Sequence, residues 1–311
     1  MLHQIDIYGK DKVETAIERI QDFAKMFPDD EGYYLAFSGG KDSVVIKKLA
    51  DLAGVKYDAH YAITSVDPPE LVKFIKREYP DVKRESQYWE EDGIYVKKGQ
   101  PITMWNLIPE MQMPPTRLVR YCCKHLKESS GDGRLTMTGV RWAESPNRKN
   151  NQGMVTIYSK SKKLTKELEE RDVDFMRTDR GGVVLNQDND ETREAIEYCY
   201  KRRKTVLNPI IDWTDEDVWE FIHEYNVPYC ELYDKGYKRL GCIGCPMNPA
   251  AAAELERYPK YKEAYKRAFG RMLNNGHEYR DWHTADDVYN WWLKLSNAER
   301  EVEEDGETMG D

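Results

Sequence analysis

The sequence has no long apolar run. No stretch approaches the roughly 18 consecutive apolar residues that a membrane-spanning helix needs. The first residues, MLHQIDIYGKDKVET, also have no apolar segment of the kind found in a secretory signal. We therefore expect a cytoplasmic protein without a membrane partner.

Cysteine and excess positive charge are also scarce. Six cysteines in 311 residues are too few for a disulfide-stapled fold, and a reducing cytosol would keep them as thiols. Lys and Arg number 47 against 56 Asp and Glu, a net charge of −9, which argues against a general nucleic-acid coat protein but leaves room for local basic patches. The cysteines are Cys122, Cys123, Cys199, Cys230, Cys242 and Cys245.

Apolar residues are plentiful enough for a large core. They make up 40% of the chain and include 8 Trp and 21 Tyr. Strand patterns over 33–37 and 57–64 alternate with helix patterns over 44–54 and 68–80. This alternation predicts an α/β fold, in which a parallel twisted sheet carries helices on both faces.

Further elements extend this pattern along the chain. A helix capped by Asp11 and Glu14 is expected over 11–27, strands over 134–140 and 206–211, and a second helix capped by Thr214 and Asp217. The predicted segments are an N-terminal helical segment (1–30), an α/β domain (31–249) with an irregular insertion or mobile loop (146–192), a helical C-terminal extension (250–295), and an acidic tail expected to be disordered (296–311).

The most informative motif lies between the first strand and the following helix. Glycines let a backbone turn sharply and approach a ligand, and the helix start then presents free N–H groups and a positive dipole end to an anion. A Gly-Gly turn alone would be an ordinary helix start, but the whole segment in this position predicts a site for a pyrophosphate-sized group. Its candidate nucleotide-binding residues are Ser38, Gly39, Gly40, Lys41, Asp42 and Ser43.

Two other polar loops follow predicted strands. Ligands of open parallel sheets bind at the carboxyl ends of the strands, so we expect these loops and the glycine loop to form one site. Asp67 would bind ribose or Mg²⁺ there, or serve only as a turn residue. Arg141 and Arg148 would bind phosphate or sulfate, with Glu144 orienting one of them, unless they are ordinary surface arginines. Lys41, Arg141 and Arg148 are the candidate catalytic residues.

Four cysteines form two motifs, the adjacent pair Cys122-Cys123 and the C-x-x-C of Cys242 and Cys245. Four thiolates suit zinc or an iron–sulfur cluster. An adjacent pair reaches two irons of a [4Fe–4S] cube more easily than it ligates one zinc, so zinc is the lesser possibility. A redox pair and inert buried thiols are the other interpretations.

Basic residues lie beside both cysteine motifs. Lys124 and Lys127 follow the adjacent pair, Arg120 precedes it, and Lys238-Arg239 precede the C-x-x-C. Positive charge there would lower thiol pKa values and attract an anionic nucleotide, unless these side chains form only a solvated face.

The glycine loop, SGGKDS, resembles that of the PP-loop ATP pyrophosphatase superfamily. The cysteine order and the stretches TGVRWAES (138–145), NPIIDWTDEDVW (208–219) and LYDKGYKRLGCIGCP (232–246) resemble the phosphoadenosine-phosphosulfate (PAPS) reductase family, in its iron–sulfur branch. The matches span about residues 33–246. The resemblance implies an adenine-nucleotide alpha-hydrolase-like fold, an adenine nucleotide as ligand, and a [4Fe–4S] cluster on Cys122, Cys123, Cys242 and Cys245. Cys199 and Cys230 have no counterpart and are interpreted as packing thiols.

One feature departs from the assimilatory members of this family. They carry a nucleophilic cysteine in a Glu-Cys-Gly-Leu/Ile-His motif near the C-terminus, whereas no cysteine follows Cys245 here. The leading hypothesis is therefore ATP-pyrophosphatase or adenylation chemistry, assisted by Mg²⁺ and coupled to sulfur transfer. The first alternative is reduction of adenosine phosphosulfate (APS) or PAPS with release of sulfite, using a thiol from Cys230 or a partner chain.

A second alternative is a nucleotide-sensing accessory subunit of a nucleic-acid modification system. The partners implied by these hypotheses are a sulfur donor protein and a nucleic-acid substrate. The basic stretches 159–163 and 201–204, which lie among tyrosines, would contact nucleic acid unless they are only solvated charge runs.

Overall fold

The computed structural model describes residues 2–5, 9–25, 27, 31–127, 131, 133–159, 162–178, 182–187, 189–199, 203–274 and 279–294. The predicted acidic tail 296–311 lies outside these residues, as do residues 160, 161, 201 and 202 of the two basic stretches. Within the described part of the chain, no helix is both long and apolar enough to span a bilayer.

The chain forms two compact units, each assembled from three stretches. The sheet unit comprises Met1–Tyr61, Glu70–Arg84 and Ser130–Leu240. The cysteine unit comprises Ala62–Pro69, Glu85–Ser129 and Gly241–Asp311. The segment boundaries expected from the sequence stay predictions.

The sheet has eight strands in the order β3-β2-β1-β4-β8-β5-β7-β6. Strands β2, β1, β4 and β8 are mutually parallel, whereas β5, β7 and β6 continue the sheet in antiparallel pairs. With its flanking helices, this arrangement confirms the α/β fold. The strands are β1 (Tyr33–Ala36), β2 (Tyr57–Ala62), β3 (Lys83–Glu85), β4 (Leu135–Met137), β5 (Val155–Tyr158), β6 (Met176–Arg177), β7 (Gly182–Leu185) and β8 (Thr205–Leu207).

The helices of the first half agree with the predicted alternation. The order β1, α2, β2, α3 reproduces the pattern expected over residues 33–80. The helices are α1 (Lys12–Ala24), α2 (Lys41–Ala53), α3 (Pro69–Glu78), α4 (Met104–Met111), α5 (Tyr121–Leu126), α6 (Pro146–Asn151), α7 (Lys162–Glu169), α8 (Asp190–Cys199), α9 (Asp215–Glu224), α10 (Ala251–Arg257) and α11 (Pro259–Leu273). Residues 285–294 are also helical.

Local chemistry explains where these helices begin. Asp11 and Glu14 form a reciprocal capping box at the start of α1, and Thr214 and Asp217 form another at α9, as predicted. Each box satisfies backbone N–H groups that have no partner inside the helix. Helix α2 begins differently, because its N-cap Gly40 has no side chain to accept such a bond.

The polar stretch 146–192 is not irregular, contrary to expectation. It contributes three strands, β5, β6 and β7, and Val155, Ile157 and Leu185 are completely buried among them. The apolar runs VTIY and GVVL are only four residues long, so polar neighbours conceal them in the sequence. As a result the sheet is mixed, with an antiparallel part beyond β8, rather than parallel throughout.

The cysteine unit has a separate apolar core. Helix α4 packs against α11, and Leu107, Tyr265, Phe269 and Trp292 are buried between these and neighbouring elements. Cys122 and Cys242 pack against the same core. The predicted C-terminal helical extension is thus present as α10, α11 and residues 285–294, and it buries aromatic side chains beside the cysteines.

Candidate functional site

The glycine loop connects β1 to α2 in the sheet unit. Gly39 has φ +74°, and a Cβ atom there would lie 2.7 Å from Ile75 Cδ1, so only glycine fits this turn against α3. The Gly40 N–H donates to Ser38 Oγ over 3.3 Å, and the Lys41 N–H donates to the Tyr233 hydroxyl oxygen over 2.8 Å. Two amides at the start of α2 therefore point at oxygen acceptors, which is the chemistry that a phosphate oxygen offers.

A charge network surrounds Lys41, whose side chain is almost buried. Lys41 Nζ lies 3.1 Å from Asp215 Oδ1 at the start of α9. Arg141 donates from Nε to Asp42 Oδ1 over 2.7 Å and from Nη2 to Asp215 Oδ1 over 2.6 Å. Its Nη1 donates to the Trp213 carbonyl oxygen over 3.2 Å. Two cations and two carboxylates therefore form one connected network beside the loop.

Arg141 is 1% exposed, and all three of its guanidinium nitrogens bond to protein groups. We expected its partner to be a ligand anion, whereas its partners here are carboxylates. Burial alone would raise the pKa of Asp215, but the hydrogen bonds from Arg141 and Lys41 outweigh it and hold that pKa below its usual range. The carboxylate is therefore fully ionised at neutral pH.

Arg148 lies near the same loop. Its Nη1 is 3.2 Å from Glu144 Oε1, as the predicted orienting role of Glu144 requires. Burial and the like charge of Arg239 lower the pKa of Arg148, while Glu144 and Asp42 oppose that shift. Arg148 and Arg239 therefore repel each other, and an anion bound beside them would reduce that repulsion.

In the cysteine unit, Cys122 and Cys123 share a hydrogen bond between their thiols. The bond from Cys122 lowers the pKa of Cys123, and Arg120 Nη2, 3.3 Å from Cys123 Sγ, lowers it further. The pKa of Cys122 is raised by the bond to Cys123, by burial and by the charges of Cys123, Cys242 and Cys245. These mutual effects place the four thiols in one electrostatic neighbourhood, although they come from two distant stretches of the sequence.

The loop that carries Asp67 also belongs to the cysteine unit. Thr64 Oγ1 donates to Asp67 Oδ2 over 2.7 Å, and the Ile243 N–H donates to the Val66 carbonyl oxygen over 2.8 Å. Burial raises the pKa of Cys242 to about 12, and Lys127 and Thr64 oppose the shift. The expected convergence of Asp67 with the glycine loop stays a prediction.

The four thiols are the right type of donor for an iron–sulfur cluster, but their positions fit a cluster less well. Cys122, Cys123, Cys242 and Cys245 are all free and partly exposed, and sulfur is the donor that such clusters require. Among the described residues, however, no three His, Cys, Asp or Glu side chains are arranged to hold a metal ion. Cys230, by contrast, is fully buried in the core of the sheet unit.

Sequence reasoning missed two polar groups at the glycine loop, the Asp215 carboxylate and the Tyr233 hydroxyl. Both lie in stretches that resemble a known family, 208–219 and 232–246. The capping pattern gave a usable signal for Asp215, because it predicts a helix start directly after a short apolar run. Nothing in the local pattern around Tyr233 indicates that its hydroxyl reaches an amide of a loop 192 residues away.

Two relatives of this chain are uncharacterized proteins from one organism. An uncharacterized protein of Methanocaldococcus jannaschii is 27% identical over 278 residues, which cover 86% of this chain but only 54% of that protein. A second uncharacterized protein of that organism is 26% identical over 84% of this chain and 44% of its own length. The chain thus spans about half the length of these two relatives.

Named relatives are reductases. The adenosine 5′-phosphosulfate reductase of Staphylococcus epidermidis is 24% identical over 258 residues, or 78% of this chain and 81% of that protein. A solved structure of phosphoadenylyl-sulfate reductase from Candida auris, in a phosphate complex, has a TM-score of 0.41 and 16% identity, with 73% of this chain and 88% of that chain covered.

A family model for the phosphoadenosine phosphosulfate reductase domain matches residues 32–248. This stretch contains the glycine loop, the loop that carries Arg141 and Arg148, and both cysteine motifs. It covers more than two thirds of the 311 residues. The chain therefore belongs to the phosphoadenosine phosphosulfate reductase domain family.

Proposed function

We propose that the protein is a cytoplasmic enzyme that binds ATP at its glycine loop and catalyses adenylation coupled to sulfur transfer. The observation that carries this proposal is the start of α2, where two backbone amides point at hydroxyl oxygens beside the Lys41 ammonium. Membership of a family named for adenine sulfonucleotide reduction supports an adenine nucleotide as the ligand.

The charge network supports a polyphosphate. Lys41 is held by Asp215, and an incoming phosphate would take the place of that carboxylate at the ammonium. Arg148 would then contact the phosphates, since its side chain is partly exposed and guanidinium groups bind phosphate well. Arg141 keeps Asp42 and Asp215 in place and acts as a positioning residue.

In the proposed reaction, an acceptor oxygen attacks the α-phosphorus of ATP, and the bond between that phosphorus and its bridging oxygen breaks. Pyrophosphate leaves, and the acceptor carries AMP. A sulfur nucleophile then displaces AMP from the acceptor, so that a carbon–oxygen or phosphorus–oxygen bond is replaced by a bond to sulfur. Lys41 and the loop amides stabilise the charge that develops on the leaving pyrophosphate. Mg²⁺, when bound, would neutralise part of the triphosphate charge.

The four cysteines supply the second part of the proposal. Cys122, Cys123, Cys242 and Cys245 would hold a [4Fe–4S] cluster, which would supply iron–sulfur chemistry. Support comes from the mutual pKa effects of the thiols and from the cations Arg120 and Lys127, which offset thiolate charge. A sulfur donor protein and a nucleic-acid acceptor would be the partners.

Reduction of APS is the second candidate, because reductases are among the named relatives. It requires a thiolate that attacks the sulfonucleotide sulfur. Cys230, which we named for this role, is fully buried, and burial raises its pKa, so its thiol is neither accessible nor ionised. This observation favours ATP chemistry, in which no attacking cysteine is needed.

The two candidates differ in their products. Anaerobically purified and iron-reconstituted protein is given ATP with candidate nucleic acids and a sulfide source, or APS with a thiol, and pyrophosphate and sulfite are measured. We expect tight ATP binding and acceptor-dependent pyrophosphate release. Sulfite release from APS without pyrophosphate release from ATP would establish the reductase instead. Nucleotide binding without either product would favour a nucleotide-sensing accessory subunit.

A further inference from the structure

The loop between Cys242 and Cys245 is fixed by residues that lie beyond the matched family domain. That domain ends at residue 248, whereas α10, α11 and residues 285–294 follow it. Two side chains from these helices reach the two residues between the cysteines, since Tyr265 bonds to the Ile243 backbone and Glu254 lies beside the Gly244 N–H.

The Tyr265 contact is short and fully buried. Its hydroxyl donates to the Ile243 carbonyl oxygen over 2.9 Å, and the side chain is 1% exposed. On the other side of the same residue, the Ile243 N–H donates to the Val66 carbonyl oxygen over 2.8 Å. Ile243 is itself completely buried, so both polar groups of its backbone are satisfied by specific partners in the cysteine unit.

The Glu254 contact fixes the next peptide. Burial raises the pKa of its carboxyl group, and the Gly244 N–H and the Asn248 side chain beside it oppose that shift. Glu254 is 8% exposed, and within the described part of the chain its Oε2 atom has no hydrogen-bond partner. The buried carboxyl group therefore lies against the Gly244 peptide and restricts its movement.

Packing restricts Gly244 as well. Its φ is +71°, and a Cβ atom there would lie 3.1 Å from Trp292 Cη2 and 3.2 Å from Leu255 Cδ2 and Tyr265 Cε2. A Cβ atom would require these three side chains from the C-terminal helices to shift by a few tenths of an ångström, and the positive φ would be strained in any other residue. The loop is thus held by the Tyr265 hydrogen bond, by the Glu254 carboxyl group and by aromatic contact from the same helices.

We propose that Glu254 and Tyr265 are positioning residues, which hold the Ile243-Gly244 backbone so that Cys242 and Cys245 present their thiols as a ligand pair. This inference rests on the proposed function for the ligand role of the two cysteines. The C-terminal helices therefore complete the cysteine site, which the matched domain supplies only in part.

The test measures thiol reactivity in reduced protein kept free of metal by a chelator. Alkylation of each cysteine by iodoacetamide is followed by mass spectrometry in wild type, Tyr265→Phe, Glu254→Ala and Glu254→Gln. Loss of one hydrogen bond should raise the rates at Cys242 and Cys245 about threefold to tenfold in Tyr265→Phe and Glu254→Ala. Rates at Cys122 and Cys123 should stay within twofold, and Glu254→Gln, which retains an acceptor for Gly244, should resemble wild type.

Tyr289→Phe is the matched control, because Tyr289 is buried in the same core and its hydroxyl has no hydrogen-bond partner among the residues that the structure describes. Equal rates in Tyr265→Phe and Tyr289→Phe would overturn the proposal, and so would an equal rise at all four cysteines, which would indicate general loosening. Faster amide hydrogen exchange in residues 242–245 of Tyr265→Phe is the second expected readout.

Iron binding separates this inference from the proposed function. A wild-type protein that takes up no iron would refute the cluster, while the alkylation rates would still decide the positioning role. If iron binds, Tyr265→Phe should release it to a chelator several-fold faster than Tyr289→Phe. Equal release rates would show that the positioning does not serve metal binding.

Discussion

The proposed anion site of the sheet unit and the four motif thiols of the cysteine unit differ in how their charges are compensated. Around the glycine loop, Lys41 and Arg141 are paired with Asp42 and Asp215, so each charge is already compensated by the protein. Among the cysteines, by contrast, the charges of neighbouring thiolates raise the pKa of Cys122 and Cys242, while Arg120 and Lys127 lower thiol pKa values.

The difference concerns what each site requires from a ligand. A phosphate must exchange partners with a carboxylate before it reaches Lys41, so nucleotide binding depends on competition between anions. The thiols instead need added positive charge, from protons or from metal, before all four can lie close together. Substitutions that affect one site and leave the other unchanged would support this difference between the two sites. Substitutions that affect both sites would contradict it.

The largest expected effect follows from removal of one thiol. Cys245→Ser should lower the iron content of anaerobically reconstituted protein about tenfold or more, because a hydroxyl is a poor ligand for iron in a sulfur cluster. Iron and sulfide assays measure the change, with Cys230→Ala as the control that removes a buried thiol of the other unit. ATP affinity should stay within twofold of wild type, and an equal loss of iron in both variants would contradict the assigned ligand set.

Replacement of Lys41 should weaken nucleotide binding and leave iron binding unchanged. Lys41→Ala should weaken ATP binding about tenfold to a hundredfold, since a hydrogen bond to a charged group contributes about 1.5–3 kcal/mol. Titration calorimetry gives the dissociation constant, and Lys48→Ala, on the same helix but away from the loop, is the matched control. The iron content should not change. An unaltered ATP affinity would remove Lys41 from the site.

A smaller effect should come from the competing carboxylate. Asp215→Asn removes the charge that holds Lys41 but retains an oxygen for Arg141, so ATP should bind a few-fold more tightly. Glu216→Gln makes the same charge change at the next position of α9, where the side chain bonds to Thr214, and should leave the affinity within twofold. Weaker binding by Asp215→Asn would show that Asp215 orients Lys41 rather than competing for it.

The sequence was most informative where the pattern is local. The alternation over residues 33–80, the caps of α1 and α9, and the loop before α2 depend on neighbours a few positions apart, and the structure confirms them. Strands β5 and β7 were missed because a run of four residues is too short to indicate a strand by itself. Both strands depend on pairing with distant residues, β5 with β8 and β7 with β5.

Long-range contacts account for what was missed at the sites. The partners of Arg141 are 99 and 74 residues away in the sequence, and Tyr233 reaches Lys41 across 192 residues. Residue type predicted that Arg141 would bind an anion, but not that carboxylates of the protein would provide it. The sequence likewise did not indicate that Tyr265 holds Ile243, because a tyrosine in a helical pattern looks like any other core residue.

Each unit is built from three stretches that alternate along the chain. A single cut therefore cannot release either unit intact, and a fragment that ends at residue 248 would remove α10 and α11 from the cysteine unit while leaving both of its cysteine motifs in place. Folding also has to close several long loops before either core is complete, which makes for slow folding. Ribosomal synthesis must therefore proceed past α11 before the core that packs against Cys122 and Cys242 is complete.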